Sequence, residues 1–534
     1  MYKKNLEMYE RLDGWERVAI GEQLRRWAKK YQDKVAFIAE SGEITYKEFD
    51  IETEKVARGF LKLGIKAGDK VVLQMPNVMS YPVTLFALYK VGAVPILALY
   101  AHREKEVRSM ISTTDAVAYI VPEKFQGFDF VALAQKMKSE FDCLKYVIVD
   151  GKGGDVNLSD IKSDEGDLPE IDGYSTAHLL LSGGSTGIPK LIARTHTDYI
   201  YNMIKCAERC RMTEDDVYLV ALSGEHNFPL CCPGILGTLR AGGTVVLCKH
   251  SSPDEILDLI TEYGVTVTAL VPTMALMCIS LFEDDDYYDL SSLRLLQVGG
   301  AMLQDAQADE IMAKYPCKLN QVYGTTEGLM FITEVDDSND VVKMCQGRPI
   351  DDATEIRIVD ENGKDVADGE YGEVICRGPY TIDGYYKAPE ANKTSFNAEG
   401  FYLTGDKAMR DKDNRYRLAG RVKEQINRAG EKIMPSEVEE LLCKNEKIRD
   451  AAVVGIDDEI LCQKICACII YKDNSDTLKY QELIDFLRNE GLASYKVPDD
   501  IKAMTEFPLT NINKVNKPEL KKMIESGTAK LVTA

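Results

Sequence analysis

The chain has 534 residues, 65 of them Lys or Arg against 86 Asp or Glu, which gives a formal charge of −21, with 45% hydrophobic and 28% charged residues. That length exceeds what one hydrophobic core serves and calls for two to four domains. The composition is that of a soluble globular protein, and the acidic balance excludes a nucleic-acid binder, whose affinity comes from basic surface.

The N-terminus, MYKKNLEMYERLDGWERVAIGEQLRRW, is charged throughout and lacks the apolar segment of a signal peptide, so it reads as a helical lead-in. VAFIAESGEITYKEFD reads as a hairpin running into a helix. The longest apolar run, residues 85–100, is interrupted by Lys90 and Pro95 and falls short of the roughly 20 residues that span a bilayer. Fourteen cysteines without a CxxC pair and five scattered histidines point to buried thiols of a reduced, cytoplasmic protein rather than to disulfides or zinc.

From VARGFLKLGIKAGDKVVLQMPN to YVIVD, helical stretches alternate with short Val/Leu/Ile strands, the pattern of βαβ units on a parallel sheet. A polar, acidic segment over residues 150–173 reads as a surface connection, after which the alternation resumes from VYLVAL to LRLLQVGGA. Residues 346–418 change to short strands with closely spaced turns, and beyond Arg421 a compact α+β pattern runs to the end. The expected fold class is therefore α/β. It comprises a large N-terminal part (1–422) of two layered α/β subdomains, about 1–180 and 181–340, and a small β-barrel, 341–422, followed by a small mobile α+β domain, 423–534.

The segment LSGGSTGIPK, residues 181–190, has the composition of a phosphate-wrapping loop. Gly183, Gly184 and Gly187 let backbone approach an anion, Ser182, Ser185 and Thr186 add hydroxyl donors, and Lys190 adds positive charge. The spacing is not that of a Walker loop, since no Gly-Lys-Ser/Thr follows and Pro189 sits where the helix would open. Taken alone, a Gly/Ser turn between strands has the same composition. Downstream, Tyr323-Gly324-Thr325-Thr326-Glu327-Gly328 offers an aromatic face for a base, a hydroxyl for phosphate and a carboxylate for Mg²⁺. Asp406 in YLTGD offers acceptors for ribose hydroxyls. Each string on its own is equally an ordinary turn.

In order, these motifs resemble the adenylate-forming superfamily of acyl-CoA ligases, peptide-synthetase adenylation domains and luciferases. The likeness runs from ITYKEF through GDKVVLQMPN, LSGGSTGIPK, YGTTEG, GEVICRG, YLTGD and GRVKEQINRAGEKIMPSEVE to PLTNINK. RTHTDYIY, HNFPL, LQVGGA and QVYG are most similar to stand-alone aryl acid adenylating enzymes of siderophore pathways. The resemblance implies two half-reactions. A 2-hydroxybenzoate-type acid attacks the α-phosphorus of MgATP to give acyl-AMP and pyrophosphate, and a phosphopantetheine thiol then displaces AMP.

It also implies roles. Ser182, Gly183, Gly184, Ser185, Thr186, Gly187 and Lys190 would hold the β- and γ-phosphates, with Thr186 and Glu327 near Mg²⁺. Gly300, Ala301, Val322 and Tyr323 would line the adenine, Gly324 would also belong to the ATP site, Thr326 would reach the α-phosphate, and Asp406 with Arg421 would fix the ribose. Lys514 would bridge the carboxylate and the α-phosphate, although Asn513 stands where the family usually has glycine. Lys423 would be the hinge about which the tail turns, and the loop 428–432 would then line the thiol tunnel. Asn227 would bond the 2-hydroxyl, Phe228, Ala301, Val322 and Met330 would form an apolar slot, and His226 would flank the carboxylate. Cys232 stands where enzymes for 2,3-dihydroxybenzoate tend to carry serine, which favours salicylate because a thiol bonds a 3-hydroxyl poorly. The acceptor is expected to be a separate carrier protein, docking on Lys444, Lys447 and Arg449, or free coenzyme A as an aryl-CoA ligase would use; a non-catalytic sensor is the remaining alternative. No membrane or nucleic-acid partner is expected.

Overall fold

A computed structural model describes residues 6–182, 190–283, 285, 287–300, 303, 305–421, 426–433, 435–473, 477–508, 515, 517–529 and 531, with backbone alone at 306, 419–421, 432, 436 and 440. Two large sheets dominate the N-terminal part. The first runs Lys190–Thr195, Thr176–Ser182, Val94–Leu97, Lys70–Leu73, Ala118–Pro122, Tyr146–Asp150 and Val156–Asn157 across its width, parallel except for the antiparallel edge strand Lys190–Thr195. The second places Lys318–Thr325, Leu295–Gly299, Val267–Leu270, Val217–Val220 and Thr244–Leu247 in parallel order, with antiparallel strands at both edges.

Sheet membership does not follow the chain at 180/181. The hairpin ending at Thr195 completes the first sheet, while Val35–Ala39, near the N-terminus, pairs parallel with Thr244–Leu247 in the second. Between the sheets lies helix Ser80–Val91, every residue of which from Tyr81 to Val91 is buried. A helix apolar all round is what a fully enclosed position demands. This is the physical meaning of the long apolar run. Its one charge, Lys90, is neutralised by Asp50 and Glu54 of helix Tyr46–Lys62, and Gly92 in the left-handed region ends it. Among the described residues no helix is long and apolar enough to cross a membrane.

The expected small β unit takes the form of a four-stranded antiparallel sheet, Glu355–Val359, Gly372–Arg377, Tyr402–Arg410 and Tyr416–Arg421. The C-terminal sheet orders Glu431–Ile433, Ile426–Arg428, Cys462–Tyr471 and Ile448–Asp458, with Asp500–Ala503 parallel to Cys462–Tyr471. Helices Pro435–Leu442 and Tyr480–Asn489 contribute to its own core around Ile433, Leu442, Ile465 and Leu483.

This C-terminal unit is held to the first sheet by a buried ionic cluster. Lys496 Nζ lies 2.6 Å from Glu106 Oε1 on helix Glu104–Thr114 and 2.9 Å from Glu437 Oε1. All three side chains are almost fully enclosed. Despite its burial, Glu106 is held down to about 2, chiefly by the Lys496 charge. Replacing Lys496 by Met leaves two buried carboxylates facing each other with only Lys105, 4.0 Å from Glu437 Oε1, as a nearby cation, and removing one partner of such a cluster costs on the order of 3–5 kcal/mol. Urea unfolding of Lys496→Met should show a loss of that size; a change below about 1 kcal/mol would mean that the cluster does not hold the unit in place.

Candidate active site

The hairpin Thr176–Ser182/Lys190–Thr195 closes with Ser182 opposite Lys190, so LSGGSTGIPK is the connection at its tip. Gly183, Gly184, Ser185, Thr186 and Gly187 lie outside the described residues. At the base, Lys190 Nζ sits 4.5 Å from the centre of the Tyr385 ring and 3.3 Å from Ser395 Oγ. The Tyr385 hydroxyl donates to Glu327 Oε1 at 2.7 Å. Burial and then the Glu327 charge push this phenol well above its usual value, with hydrogen bonding to Tyr402 and Ser182 acting against the rise. Tyr385 thus joins the expected phosphate loop to the expected metal carboxylate, a link not legible in the sequence.

Glu327 sits in the tight connection between Lys318–Thr325 and Leu329–Ile332. Gly328 has φ +106°, and a Cβ there would lie 1.9 Å from the Tyr380 carbonyl, so only glycine closes this turn. The carbonyl of Thr326 accepts from Arg194 Nη1 at 3.1 Å. Arg194 is fully buried, its Nε bonds Asp198 at 2.8 Å, and its guanidinium lies 4.9 Å above the Tyr199 ring. In the sequence Arg194 stands in RTHTDYIY, which assigns it no role. The signal for its anchoring was nonetheless local. Thr195 and Asp198 form a capping box, Thr-x-x-Asp, which fixes Asp198 one helical turn from Arg194.

Tyr323 Oη donates to Asp406 Oδ2 at 2.7 Å, and its ring stacks on Phe331, which stacks on Tyr416. Register places Arg421 directly opposite Asp406, and Val322 beside Gly299, the neighbour of Gly300. These expected nucleotide residues therefore gather at the C-terminal end of the parallel strands, where open α/β sheets bind ligands. Ala301 lies outside the described residues, and so do Lys423 and Lys514.

The HNF segment follows strand Val217–Val220. His226 is exposed and caps helix Asn227–Cys231, its Nδ1 accepting the Phe228 N–H at 3.2 Å. Asn227 Oδ1 accepts from the Tyr199 hydroxyl at 2.8 Å, and its Nδ2 donates to Cys232 Sγ at 3.6 Å. Cys232 Sγ lies 3.9 Å from Met330 Sδ, and Met330 covers Gly324, its partner in register. The Phe228 ring edge approaches Gly299. Asn227, Phe228, Cys232, Met330 and Val322 thus share one enclosed wall, next to Thr326 and Gly324.

Residues of QMPN in the first sheet hold this segment. Asn77 Oδ1 accepts from Gly224 N–H while its Nδ2 reaches the carbonyls of Val220, Leu222 and Cys248, and Tyr81 bonds Gly224 O. Glu225, fully enclosed, accepts from Met75 N–H at 3.0 Å and from the Ser223 hydroxyl. On the other side, the tip of the C-terminal hairpin approaches Gly300, one of the expected nucleotide residues. A Cβ on Gly430 would be 2.9 Å from Val271 Cγ1 and 3.8 Å from the Gly300 carbonyl carbon. Among the described residues no group of three or more His, Cys, Asp or Glu gathers to hold a metal. Glu327, with a single acceptor contact on Oε1, fits Mg²⁺ that takes its other ligands from phosphate oxygens and water.

Residues 24–386 match the AMP-binding enzyme family and residues 437–514 match the AMP-binding enzyme C-terminal domain. The chain is 41% identical to a 2,3-dihydroxybenzoate-AMP ligase of Bacillus subtilis, covering 97% of this chain and 96% of that one. It is 39% identical to a salicyl-AMP ligase / salicyl-S-ArCP synthetase of Mycobacterium tuberculosis, covering 95% and 91%. The apo structure of MbtA from Mycobacterium smegmatis superposes with a TM-score of 0.74 at 37% identity, covering 97% of each chain.

Burial pushes the Glu225 carboxyl up to about 7 from a usual 4.5. A raised carboxyl favours the folded state fully below pH 4.5 and loses that contribution as pH climbs to about 7. Glu225→Gln, neutral throughout, should therefore gain stability over the wild type progressively between pH 4.5 and 7 and level off above, by an amount on the order of 3 kcal/mol. A difference in unfolding free energy that stays flat across that window would show that Glu225 does not titrate as its burial demands.

Proposed function

The chain belongs to the AMP-binding enzyme family, and from that membership we propose that it activates a 2-hydroxybenzoate-type acid as the acyl-adenylate and passes the acyl group to a phosphopantetheine thiol on a separate carrier protein. The observation that carries this reading is the wall of Asn227, Phe228, Cys232, Met330 and Val322 beside Thr326. One buried amide among apolar and soft groups suits an aromatic ring with one polar substituent, and the neighbouring turn suits a phosphate. The relatives named for 2,3-dihydroxybenzoate and salicylate support the same class. Between the two, Cys232 favours salicylate, because its thiol is already engaged with Asn227 and Met330 and bonds a 3-hydroxyl weakly.

In the first half-reaction a carboxylate oxygen of the acid forms a bond to the α-phosphorus of ATP as the bond to the pyrophosphate oxygen breaks. No proton need move, so the protein's part is placement and charge compensation. The acid stacks along Phe228 with His226 flanking its carboxylate, Asp406 and Arg421 hold the ribose, and Thr326 donates to the α-phosphate. Lys190 and the loop 183–187 hold the outer phosphates. Mg²⁺ at Glu327 and Thr186 would neutralise the phosphate oxygens. Lys514 bridges carboxylate and α-phosphate.

In the second half-reaction the thiol sulfur bonds the acyl carbon, the acyl–phosphate oxygen bond breaks, AMP leaves and the thiol proton goes to water. The seating of Gly430 against Gly300 and Val271 supports a thiol path lined by the C-terminal hairpin, with Lys423 as the pivot that exchanges this hairpin for Lys514.

Acid-dependent ATP/pyrophosphate exchange tests the reading: salicylate should support the fastest exchange, 2,3-dihydroxybenzoate less, and the acyl group should pass to a phosphopantetheinylated carrier in preference to coenzyme A. Exchange with none of these acids would overturn it, and equal transfer to coenzyme A would replace the carrier as acceptor. Lys514→Ala should lower exchange by on the order of 10²–10³-fold while transfer from preformed salicyl-AMP stays within about threefold. Equal loss in both halves would remove Lys514 from the first-half role.

A further inference from the structure

Which way the Asn227 amide faces decides what the acid's ortho position must offer. Tyr199 is completely enclosed, and its hydroxyl meets Asn227 Oδ1 at 2.8 Å, with the Cys231 sulfur, a far weaker acceptor, as the other group within its reach. A buried phenol has to place its hydrogen on an acceptor. Burial, with the thiols of Cys231 and Cys232 nearby, pushes its pKa well up, so the hydrogen stays on Tyr199. The contact therefore runs from Tyr199 to the amide oxygen and not the reverse.

The rest of the wall is consistent with that direction. Asn227 Nδ2 donates to Cys232 Sγ at 3.6 Å, and the Cys232 thiol gives its own hydrogen to the Asn227 backbone carbonyl at 3.5 Å. A rotated amide would set its N–H groups against the Tyr199 oxygen and leave the phenol hydrogen only the weakly accepting Cys231 sulfur in an enclosed space. Sulfur is a weak acceptor, and an amide nitrogen carries two hydrogens, so the wall presents N–H to whatever enters.

We propose that Tyr199 is a specificity-determining positioning residue: by fixing the Asn227 amide with its oxygen inward, it makes the pocket demand a hydrogen-bond acceptor at the ortho position of the acid. An ortho hydroxyl meets the demand. It gives its hydrogen to the adjacent carboxylate of its own molecule and turns its lone pairs outward. An ortho amino group does not, since its lone pair is drawn into the ring and it offers hydrogens to a wall of hydrogens. The inference rests on the proposed reading of this wall as the ortho contact.

The test is pyrophosphate exchange with 2-hydroxybenzoate, 2-aminobenzoate and benzoate on the wild type and on Tyr199→Phe. With the phenol hydrogen gone the amide is free to rotate, and the kcat/KM ratio of 2-hydroxy- to 2-aminobenzoate should fall at least tenfold, while benzoate, with no ortho group, stays within about threefold. In Asn227→Asp the pocket-facing nitrogen becomes an acceptor oxygen, and the preference should shift toward 2-aminobenzoate. An unchanged ratio in Tyr199→Phe, an equal fall for all three acids, or an Asn227→Asp enzyme that keeps the wild-type preference would overturn the role of Tyr199 while leaving the aryl acid reading intact. Absence of exchange with every acid in the wild type would overturn both.

Discussion

Four hydrogen bonds from one enclosed side chain hold the two large sheets in the relation that makes a site between them. Asn77 leaves the first sheet at the end of Lys70–Leu73, and its amide takes Gly224 N–H and gives to the carbonyls of Val220, Leu222 and Cys248, all in the second sheet. Leu222, Gly224 and Cys248 lie just past strand ends, and the Val220 carbonyl, the last of its strand, also takes the Cys248 N–H; an unpaired buried carbonyl there would be expensive. Asn77 is thus at once the completion of the second sheet's hydrogen bonding and the fastening of the segment that carries His226 and Asn227. With Tyr81 and the Met75 N–H that Glu225 accepts added, the proposed acid wall is positioned from outside its own sheet.

A second enclosed polar group, Arg194, ties that wall to the expected phosphate end. Its guanidinium meets the Thr326 carbonyl, the Asp198 carboxylate and the face of Tyr199, so one planar cation touches the turn beside Glu327 and the residue that orients Asn227. A lysine in its place would supply charge but not the flat fork that reaches three directions at once. The geometry makes the two halves of the proposed cleft mechanically continuous. A single side chain, Arg194, spans from the YGTTEG turn to Tyr199.

The strand and helix alternation was legible because buried parallel strands read as Val/Ile/Leu runs, and the hairpin Val35–Ala39/Gly42–Thr45 because its turn residues are local. Which sheet each strand joined was not, since Val35–Ala39 pairs with a strand some two hundred residues on. The same limit applies at the site. The motifs give Thr326, Asp406 and Asn227 expected roles, while Arg194 and Tyr199 stand in RTHTDYIY without a role and Tyr385 has none, because their contacts to Thr326, Asn227 and Glu327 are distant in sequence and their residue types are equally at home in a core. Sequence shows what a loop can contact; only the fold shows what holds the loop. Lys514, Lys423 and the tip of the glycine loop lie outside the described residues, so their roles rest on the motif pattern.

The C-terminal unit raises a physical question that its contacts answer in part. A lid that turns about a pivot, as is proposed for this unit, cannot be fastened by a large apolar interface, because apolar burial is non-directional and grows with area, and the lid would stay wherever it first docked. Lys496 with Glu106 and Glu437 is a different kind of fastening. Its Coulomb attraction is largely offset by desolvation, so the net stabilisation is small, yet the geometry it permits is narrow. In the turn proposed for this unit, Lys496 and Glu437 would travel together and Glu106 would stay, so each member would regain water or keep a partner. The cluster therefore specifies one docked orientation, with Gly430 against Gly300, without making departure from it prohibitive. That combination of sharp placement and low net cost is what a two-step reaction on one scaffold requires.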